Sequence, residues 1–368
     1  MRTDVVRDRD FCPQPGPASR AATGCLLGMA VGDAVGLPFE GISKGRQHRC
    51  GPDLTRHHFC FGRGMVSDDT EHACMTAQAV IASGGDPDRF ACSLAWRMRL
   101  WLLGLPAGIG GATLRGMLRL WMGFSPERSG VDSAGNGPSM RSPILGVLFA
   151  HDWGLCRELV RRSTIMTHTD PVALHCALAV AVAAGLAVRE PGLTATEVFP
   201  GALAAAIPDA GPEFIEVMRR VVESAGRGES TEDFALSMGL ERGVSGYSLH
   251  SVPVAVHAWL SHPMDYAAAV TAAIQCGGDT DTTAAIAGGI VGAAVGKADI
   301  PPQWLDGLLE WPCGVAWMER LAERSAGVAE SREPGKPLAF NVPGQFLRNL
   351  FFLGVVLIHG FRRLLPPY

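Results

Sequence analysis

Glycine recurs at every fourth position in the first apolar segment of this chain, and small apolar residues fill most of the positions between. The glycines are Gly24, Gly28, Gly32 and Gly36. Residues four apart lie on one face of an α-helix, so these glycines form a stripe without side chains. The stripe predicts a helix over residues 21–37 that packs very closely against another. We expect Asp33, within this helix, to be buried and hydrogen-bonded, because a buried carboxylate needs partners.

After residue 71 the chain continues as a succession of apolar segments with helical periodicity. Apolar residues recur three and four positions apart. Residues 172–188 consist almost wholly of Ala, Val and Leu, which predicts a central buried helix. Neither a βαβ pattern nor a GxGxxG turn interrupts the series. We therefore predict an all-α protein with one compact orthogonal helical-bundle domain over residues 21–328.

The two ends of the chain differ in composition from this domain. Residues 1–20 are charged, contain proline and lack the apolar region of a signal peptide, so we predict a flexible extension. Residues 329–345 have the charges, Pro and Gly typical of a linker. Residues 346–368 are apolar and basic, and we predict a C-terminal helix there. Through residues 346–365 this helix docks on its own domain, contacts a second copy in a homo-oligomer, or lies on an acidic membrane surface.

Composition limits the expected partners and the compartment. The net charge is −4 and no basic run occurs, so we expect no nucleic-acid partner. None of the ten cysteines forms a CxxC pair, which favours buried free thiols in a reducing cytoplasm over a disulfide framework or a zinc site. We also expect no transmembrane segment, since no apolar stretch appeared long enough to cross a bilayer.

Two clusters of oxygen ligands occur far apart in the sequence. The first is Ser67-Asp68-Asp69-Thr70-Glu71, and the second is Gly277-Gly278-Asp279-Thr280-Asp281-Thr282-Thr283. Each precedes an apolar segment, so we expect each at a helix start, near Glu71 and near Thr282 or Thr283. Carboxylate and hydroxyl oxygens suit Mg²⁺ or Mn²⁺, and a shared pair of ions would offset repulsion between the carboxylates. The alternative is two capped helix starts that face water.

Five motifs follow one another between residues 21 and 317. They are GCLLGMAVGDAVG at 24–36, SDDT at 67–70, GNGPSMR at 135–141, THTDP at 167–171 and GDTDT at 278–282. In order and spacing they resemble the ADP-ribosylglycohydrolase family, which includes the dinitrogenase-reductase-activating glycohydrolases. The resemblance implies that family's all-α domain, two divalent cations (Mg²⁺ or Mn²⁺), and hydrolysis of the bond between ADP-ribose and an acceptor. The implied partner is an ADP-ribosylated protein or a small ADP-ribose conjugate.

The resemblance also implies roles for individual residues. The metal ligands would be Ser67, Asp68, Asp69, Asp279, Asp281 and Thr282. The catalytic groups for proton transfer would be Glu40, Asp68 and Asp69. The substrate-binding residues would be Asn136, Gly137, Met140, Arg141 and His168. Arg141 would pair with a diphosphate through bidentate hydrogen bonds, the alternative being a surface or helix-capping charge. The alternative for His168 is a satisfied core histidine.

One position departs from the family pattern. Nitrogenase-type relatives carry an aspartate, thought to act on the substrate ribose, where Gly108 stands in this chain. The departure argues against an arginine-specific reaction more than against the family's fold or its metal ions. It leaves two alternatives open, a non-catalytic ADP-ribose-binding relative and a generic Mg²⁺-dependent phosphoester hydrolase. The sequence does not identify the acceptor.

Overall fold

The computed structural model describes residues 16–51, 53–59, 61–190 and 195–363. This part of the chain contains seventeen α-helices, a few short 3₁₀ turns and no β-strand, so the predicted all-α class is confirmed. The helices in chain order are α1 (Pro17–Gly36), α2 (Lys44–Cys50), α3 (Asp68–Ser83), α4 (Pro87–Leu103), α5 (Gly111–Trp121), α6 (Pro143–Leu148), α7 (Trp153–Ile165), α8 (Pro171–Arg189), α9 (Ala195–Ala206), α10 (Pro212–Gly226), α11 (Thr231–Ser237), α12 (Ser248–Ser261), α13 (Tyr266–Gln275), α14 (Thr280–Val295), α15 (Pro302–Leu305), α16 (Val315–Ser331) and α17 (Val342–Arg362).

The antiparallel contact between α1 and α14 lies at the centre of the fold. A Cβ atom on Gly28 would lie 2.3 Å from the backbone oxygen of Gly288, and one on Gly36 would lie 2.4 Å from that of Thr280. The other two glycines of the stripe would meet backbone oxygens of α14 at 2.0 and 2.2 Å. Any side chain on the stripe would therefore push the helices apart. The close packing predicted from the four-residue spacing is present, and α14 is the partner.

This contact brings the end of α1 beside the start of α14. The Thr280 hydroxyl donates to the backbone oxygen of Gly36 over 2.8 Å. Helices α3 and α16 pack beside α1, while α8, α12 and α13 pack beside α14. Almost every residue of the two central helices is buried as a result. Polar groups at the junction of α1, α3 and α14 are thus held in a rigid, apolar surrounding.

The helices at the ends of the chain have different bounds from those predicted. Helix α1 begins at Pro17, inside the predicted extension, and residues 1–15 lie outside the described residues. Helix α16 continues to Ser331, and α17 already begins at Val342. The predicted division into extension, domain, linker and tail stays a prediction, with these helix bounds set inside it.

Three helical segments are long and apolar enough to cross a membrane, judged by length and composition. They are Pro17–Phe39, Pro171–Arg189 and Val342–Arg362. The expectation that no stretch reaches this length was therefore wrong, because few charged residues interrupt these three helices. In the first two segments 94% and 78% of the most apolar window is buried inside the protein, compared with 22% in the third. Helix α17 thus leaves much of its apolar surface exposed.

The described cysteines are all free thiols. Cys25, Cys74 and Cys176 are among the buried ones, as expected. Cys50 and Cys92 are exposed, so the prediction of buried thiols was wrong for these two, including Cys92, whose apolar helical segment had favoured burial.

Candidate active site

Helices α3 and α14 begin side by side, and their first turns carry the two oxygen clusters. The Thr282 hydroxyl donates to Oδ2 of Asp69 over 3.2 Å, although the two residues are 213 apart in sequence. The Ser67 hydroxyl donates to the same oxygen over 3.0 Å. Both helices begin earlier than predicted, at Asp68 and Thr280. The structure therefore joins the two clusters, as a shared metal centre requires.

Asp33 belongs to the same cluster. Its carboxylate and those of Asp69 and Asp281 have oxygens that all lie within 4.8 Å of one another. The backbone N–H of Ser67 donates to both oxygens of Asp33, over 3.0 and 2.9 Å, and the Thr70 hydroxyl donates over 2.6 Å. Asp33 thus fixes the start of α3. The sequence predicted that Asp33 is buried and hydrogen-bonded, but gave no indication of these partners.

Two buried oxygens of this cluster have no hydrogen-bond partner in the described part of the protein. They are Oδ1 of Asp69 and Oδ1 of Asp281. Burial, reinforced by neighbouring carboxylates, raises the pKa of both groups well above the usual range, and burial raises that of Asp33 to about 7. A cation among these oxygens would offset the repulsion and bind the unused lone pairs. Carboxylate and hydroxyl oxygens are the donors that Mg²⁺ and Mn²⁺ prefer, so the residues present fit such ions.

Three further carboxylates surround the cluster on its open side. Asp68 and Asp279 are half-buried, and Glu40 is exposed just after the turn that follows α1. Burial raises the pKa of all three, and repulsion from Asp279 adds to the effect on Glu40. The Arg363 guanidinium lowers the pKa of Glu40 to a smaller extent. These groups border solvent, where a substrate could reach them.

A cleft of about 560 Å³ opens above the carboxylates, which is within the size range of small-molecule sites. Its walls are the start of α5, the segment before α6 and the turn before α12. The polar side chains that line it are Glu40, Asp68, Asp69, Thr113, Ser133, Asn136, His168, Ser245, Asp279, Asp281 and Thr282. Among the described residues that line the cleft there is no lysine or arginine. A bound metal ion, as predicted, would supply the positive charge that the residues lining the cleft lack.

Four of the five predicted substrate-binding residues line this cleft, namely Asn136, Gly137, Met140 and His168. The Asn136 amide donates to Oδ2 of Asp279 over 2.7 Å and so orients one candidate ligand. Burial and the nearby Arg141 lower the pKa of His168 to about 3, so this imidazole is neutral near pH 7. A Cβ on Gly137 would lie 3.0 Å from the His168 ring, so a larger residue would displace the ring.

The fifth residue, Arg141, lies elsewhere and corrects the prediction. It is fully buried and does not line the cleft. Its guanidinium donates to the hydroxyl and backbone oxygen of Ser163, to the Thr167 hydroxyl and to the Gly137 backbone oxygen, and contacts Nδ1 of His72. Four of its five N–H groups thereby donate within the protein, and the remaining contact is to the His72 ring. Arg141 supports Gly137 and the segment before His168, and its guanidinium is buried away from any diphosphate in the cleft.

Comparison with known proteins identifies the architecture that holds these residues. A family model described as ADP-ribosylglycohydrolase matches residues 14–335. The chain belongs to the ADP-ribosylglycohydrolase family of hydrolases.

Named relatives within this family act on ADP-ribosyl groups. The chain is 28% identical to the ADP-ribosylarginine hydrolase Tri1 of Pseudomonas putida, over 83% of this chain and 77% of the relative. It is 25% identical to the ADP-ribosyl-[dinitrogen reductase] glycohydrolase of Rhodospirillum rubrum, over 78% and 90%. A solved structure titled ADP-ribosylglycohydrolase-related protein complex aligns with a TM-score of 0.64 and 26% identity, covering 85% of this chain and 99% of that one.

The position that departs from the ADP-ribosylglycohydrolase pattern lies at the site itself. Gly108 lines the cleft, and a Cβ on it would lie 3.8 Å from Oδ1 of Asp68. Its φ of +84° is strained for any residue with a side chain. An aspartate placed at this position would therefore strain the backbone, and its side chain would start beside Asp68.

Sequence reasoning missed several residues of this ADP-ribosylglycohydrolase cleft. Thr113, Ser133 and Ser245 line it, but each occurs singly and in no motif. The only signal was the concentration of glycine around them, at 108–111 and at 243–246, which permits close approach of a ligand to the backbone. Asp33 carried a better signal, because a carboxylate on a glycine-striped helix must have a reason to be buried.

Proposed function

We propose that this protein hydrolyses the glycosidic bond between ADP-ribose and an acceptor, using two divalent cations, Mg²⁺ or Mn²⁺. The observation that supports it best is the pair of buried, unpartnered oxygens on Asp69 and Asp281 at the floor of the cleft. The named relatives favour an ADP-ribosylated protein as substrate, with a small ADP-ribose conjugate as the alternative.

The cations would be held by residues of both helix starts. The ligand set is Ser67, Asp68, Asp69, Asp279, Asp281 and Thr282. When bound, the ions would orient ribose hydroxyls and act as Lewis acids towards oxygen atoms of the substrate or water. Asp33 would support this set from below by holding the backbone of Ser67 and the side chain of Thr70, while Asn136 orients Asp279.

The reaction places charge where the cleft is acidic. Departure of the acceptor from C1 of the ribose develops positive charge on the sugar ring, and neighbouring carboxylates favour that charge. Glu40 is the candidate for proton transfer, because it lies at the open edge of the cleft and its pKa is raised towards neutral pH. This arrangement differs from glycosidases that rely on two bare carboxylates, since most carboxylates here would bind metal.

Recognition of the phosphates would fall to the backbone, because Arg141 is unavailable. The first turn of α5, at Gly111, Ala112 and Thr113, lines the cleft. It has no acidic residue and no side-chain cap, so its N–H groups are free to meet an anion. The proposed pose therefore places the ribose at the carboxylates and the diphosphate towards α5.

The proposal can be tested with a panel of substrates. ADP-ribosyl-arginine, ADP-ribosyl-serine, a small ADP-ribose conjugate and a plain phosphodiester are each incubated with Mg²⁺, Mn²⁺ or a chelator. We expect ADP-ribose release from at least one conjugate, and its loss both with chelator and in Asp281→Asn. Asp265→Asn is the control, because Asp265 is also an aspartate at a helix start, but it caps the exposed start of α13 and lies outside the cleft. It should retain full activity.

The other functions predict different results in the same panel. Hydrolysis of the phosphodiester alone would favour a generic phosphoester hydrolase. Tight binding of ADP-ribose without release from any conjugate would favour a non-catalytic binder. ADP-ribose release that persists undiminished in chelator would refute the metal-dependent mechanism.

A further inference from the structure

Helix α17 lies beyond the residues that match the family model, yet it packs against both segments that lead into the candidate site. Its buried residues face the segment before α3 and the segment after α1. Phe352 packs with Leu37 and Met65, which belong to these two segments. None of its described residues lines the cleft itself.

Arg348 makes the contact at the first half of α17. This side chain is 1% exposed, and its Nη2 donates to the backbone oxygen of Val66 and to Oε1 of Glu310, over 2.6 Å each. The backbone N–H of Val66 donates to the same oxygen of Glu310 over 2.8 Å. Both backbone groups of Val66, the residue directly before Ser67, are thus held by one buried ion pair.

The same arginine also faces the first turn of α3. Its Nη1 lies 3.5 Å from Oε1 of Glu71, which is two residues beyond Asp69. Gln345 of α17 donates to this oxygen over 2.7 Å, and the Trp101 indole donates to the other oxygen of Glu71 over 2.5 Å. Arg348 therefore contacts the chain on both sides of the Ser67–Asp69 cluster.

The second half of α17 and the residue after it hold the segment that carries Glu40. The His359 ring bonds to the backbone oxygen of Pro38 over 2.9 Å, and Arg363 donates to the backbone oxygen of Glu40 over 2.7 Å. One helix thus spans the backbones that present two separate parts of the site.

We propose that Arg348 is a positioning residue for the metal ligands of α3, acting through Val66 and Glu71. The inference rests on the proposed metal centre. Ligands held by ordered neighbours bind metal more tightly, and loss of such outer contacts typically reduces metal affinity about 10- to 100-fold. Two fixed points on either side of Ser67, Asp68 and Asp69 are the arrangement that would confer this order. The C-terminal addition to the family domain is then part of the site's support.

The test is a calorimetric titration of the metal-free, full-length protein with Mn²⁺, which measures the dissociation constant. Arg348→Lys keeps a positive charge between Glu71 and Glu310, but lysine lacks the planar fork that reaches Glu71 through one nitrogen and both Val66 and Glu310 through another. We expect the dissociation constant for Mn²⁺ to rise about tenfold or more.

Gln78→Met is the matched control. Gln78 is buried on α3 and exchanges two hydrogen bonds with the backbone of Leu338, in the segment that leads into α17. It touches neither Val66 nor Glu310, so its variant should lower the melting temperature while leaving the Mn²⁺ affinity within about twofold of wild type. Glu310→Gln is a second arm for the case that Arg348→Lys does not fold, with a weaker Mn²⁺ affinity expected.

The outcomes separate this inference from the proposed function. If the Arg348→Lys and Glu310→Gln variants bind Mn²⁺ as tightly as the wild-type protein does, the positioning role is overturned and the proposed metal centre stays intact. Wild-type protein that binds no Mn²⁺ would instead overturn the metal centre itself. Weaker binding in the Arg348 variant, with unchanged binding in the Gln78 variant, supports the inference.

Discussion

Two groups of carboxylates meet at the first turn of α3 but differ in how their charge is balanced. Glu71 and Glu310 contact Arg348, and each accepts a further hydrogen bond, from the Trp101 indole and from the backbone N–H of Val66 respectively. Asp69 and Asp281 form no ion pair in the described part of the protein, and each keeps an unpartnered oxygen. The two groups are separated by only two residues along α3.

The difference distinguishes a structural charge cluster from one built to receive a ligand. In the Arg348 cluster the protein supplies the cation, so removal of that cation should destabilise the fold. In the proposed metal centre around Asp69 the cation would come from solution, so removal of a carboxylate should relieve repulsion and abolish binding. Neutralising one charged side chain should therefore have opposite consequences for stability in the two places.

The largest effect is expected from Asp281→Asn. This variant should abolish metal binding and ADP-ribose release, because it removes a candidate ligand at the centre of the cluster. In chelator its melting temperature should equal or exceed that of wild type, since one of several repelling carboxylates becomes neutral. Calorimetric titration measures the loss of metal binding, and thermal melting measures the change in stability. Full activity with metal still bound would contradict the assignment.

Arg348→Met should show the opposite pattern in stability. It leaves Glu71 and Glu310 buried without a cation, which typically costs about 3–5 kcal/mol of unfolding free energy. Chemical denaturation in chelator measures this cost. Arg332→Met is the control, because Arg332 pairs with Asp152 at the surface and should contribute at most about 1 kcal/mol. Equal losses in the two variants would remove the distinction between the clusters.

Glu40→Gln tests whether the exposed carboxylate acts in the chemistry rather than in holding metal. Turnover should fall about a hundredfold or more, because the amide cannot transfer a proton. The Mn²⁺ affinity and melting temperature should stay close to wild type, since the backbone oxygen held by Arg363 is unchanged. Steady-state kinetics with calorimetry provides the measurement. Turnover within a few-fold of wild type would make Glu40 an ordinary surface charge.

The stabilisation given by metal should increase with pH between about 4 and about 7. Burial raises the pKa of Asp33 to about 7, so the metal-free folded state retains a proton that the unfolded state releases above pH 4. Stability of the metal-free protein therefore falls as pH rises through this window. Buried His168, with its pKa lowered to about 3, has the opposite effect up to about pH 6.5.

The difference in melting temperature with and without Mn²⁺ isolates the carboxylates, because the histidine contribution is present in both states. We expect a larger difference at pH 7.5 than at pH 5. A difference that does not change with pH would show that the cluster carboxylates are already ionised without metal.

The smallest effect on stability is expected at the outer face of α17. The inner face docks on the domain, which was the first of three predicted positions, but Ile358 and Phe361 are 72% and 69% exposed. We propose that this face contacts a second copy or an acidic membrane surface. Ile358→Ser with Phe361→Ser should change the unfolding free energy by less than about 0.5 kcal/mol per site. Sedimentation and flotation with anionic vesicles should show which association it weakens. A wild-type monomer that does not float would contradict the proposal.

The sequence predicted the features that depend on local pattern. The glycine stripe, the two oxygen clusters and the all-α class follow from residue spacing alone. The helix starts were placed too late, because glycines precede both clusters and the alternating aspartates of the second cluster were interpreted as part of a turn. In fact Ser67 accepts a hydrogen bond from the Asp69 backbone and caps α3. The start of α17 was also missed, although Asn341 followed by Pro343 is a typical helix-start signal.

The features that sequence could not supply depend on partners from distant segments. The family resemblance implied that Arg141 pairs with a diphosphate, and an arginine is rarely buried as deeply as this one is. Its burial depends on Ser163 and Thr167, which an isolated motif cannot reveal. The same holds for Arg348, whose partner Glu310 is 38 residues away and in no motif.

The glycine contacts between α1 and α14 have a consequence for how the site can change. A Cβ on the stripe would meet a backbone oxygen of α14 at 2.0 to 2.4 Å, so the helices must move apart to accept it. The distance between Asp33 on α1 and Asp281 on α14 would then widen with them. A substitution such as Gly28→Ala should therefore weaken the proposed metal centre as a whole. Selectivity among ions would have to be altered at the ligands themselves.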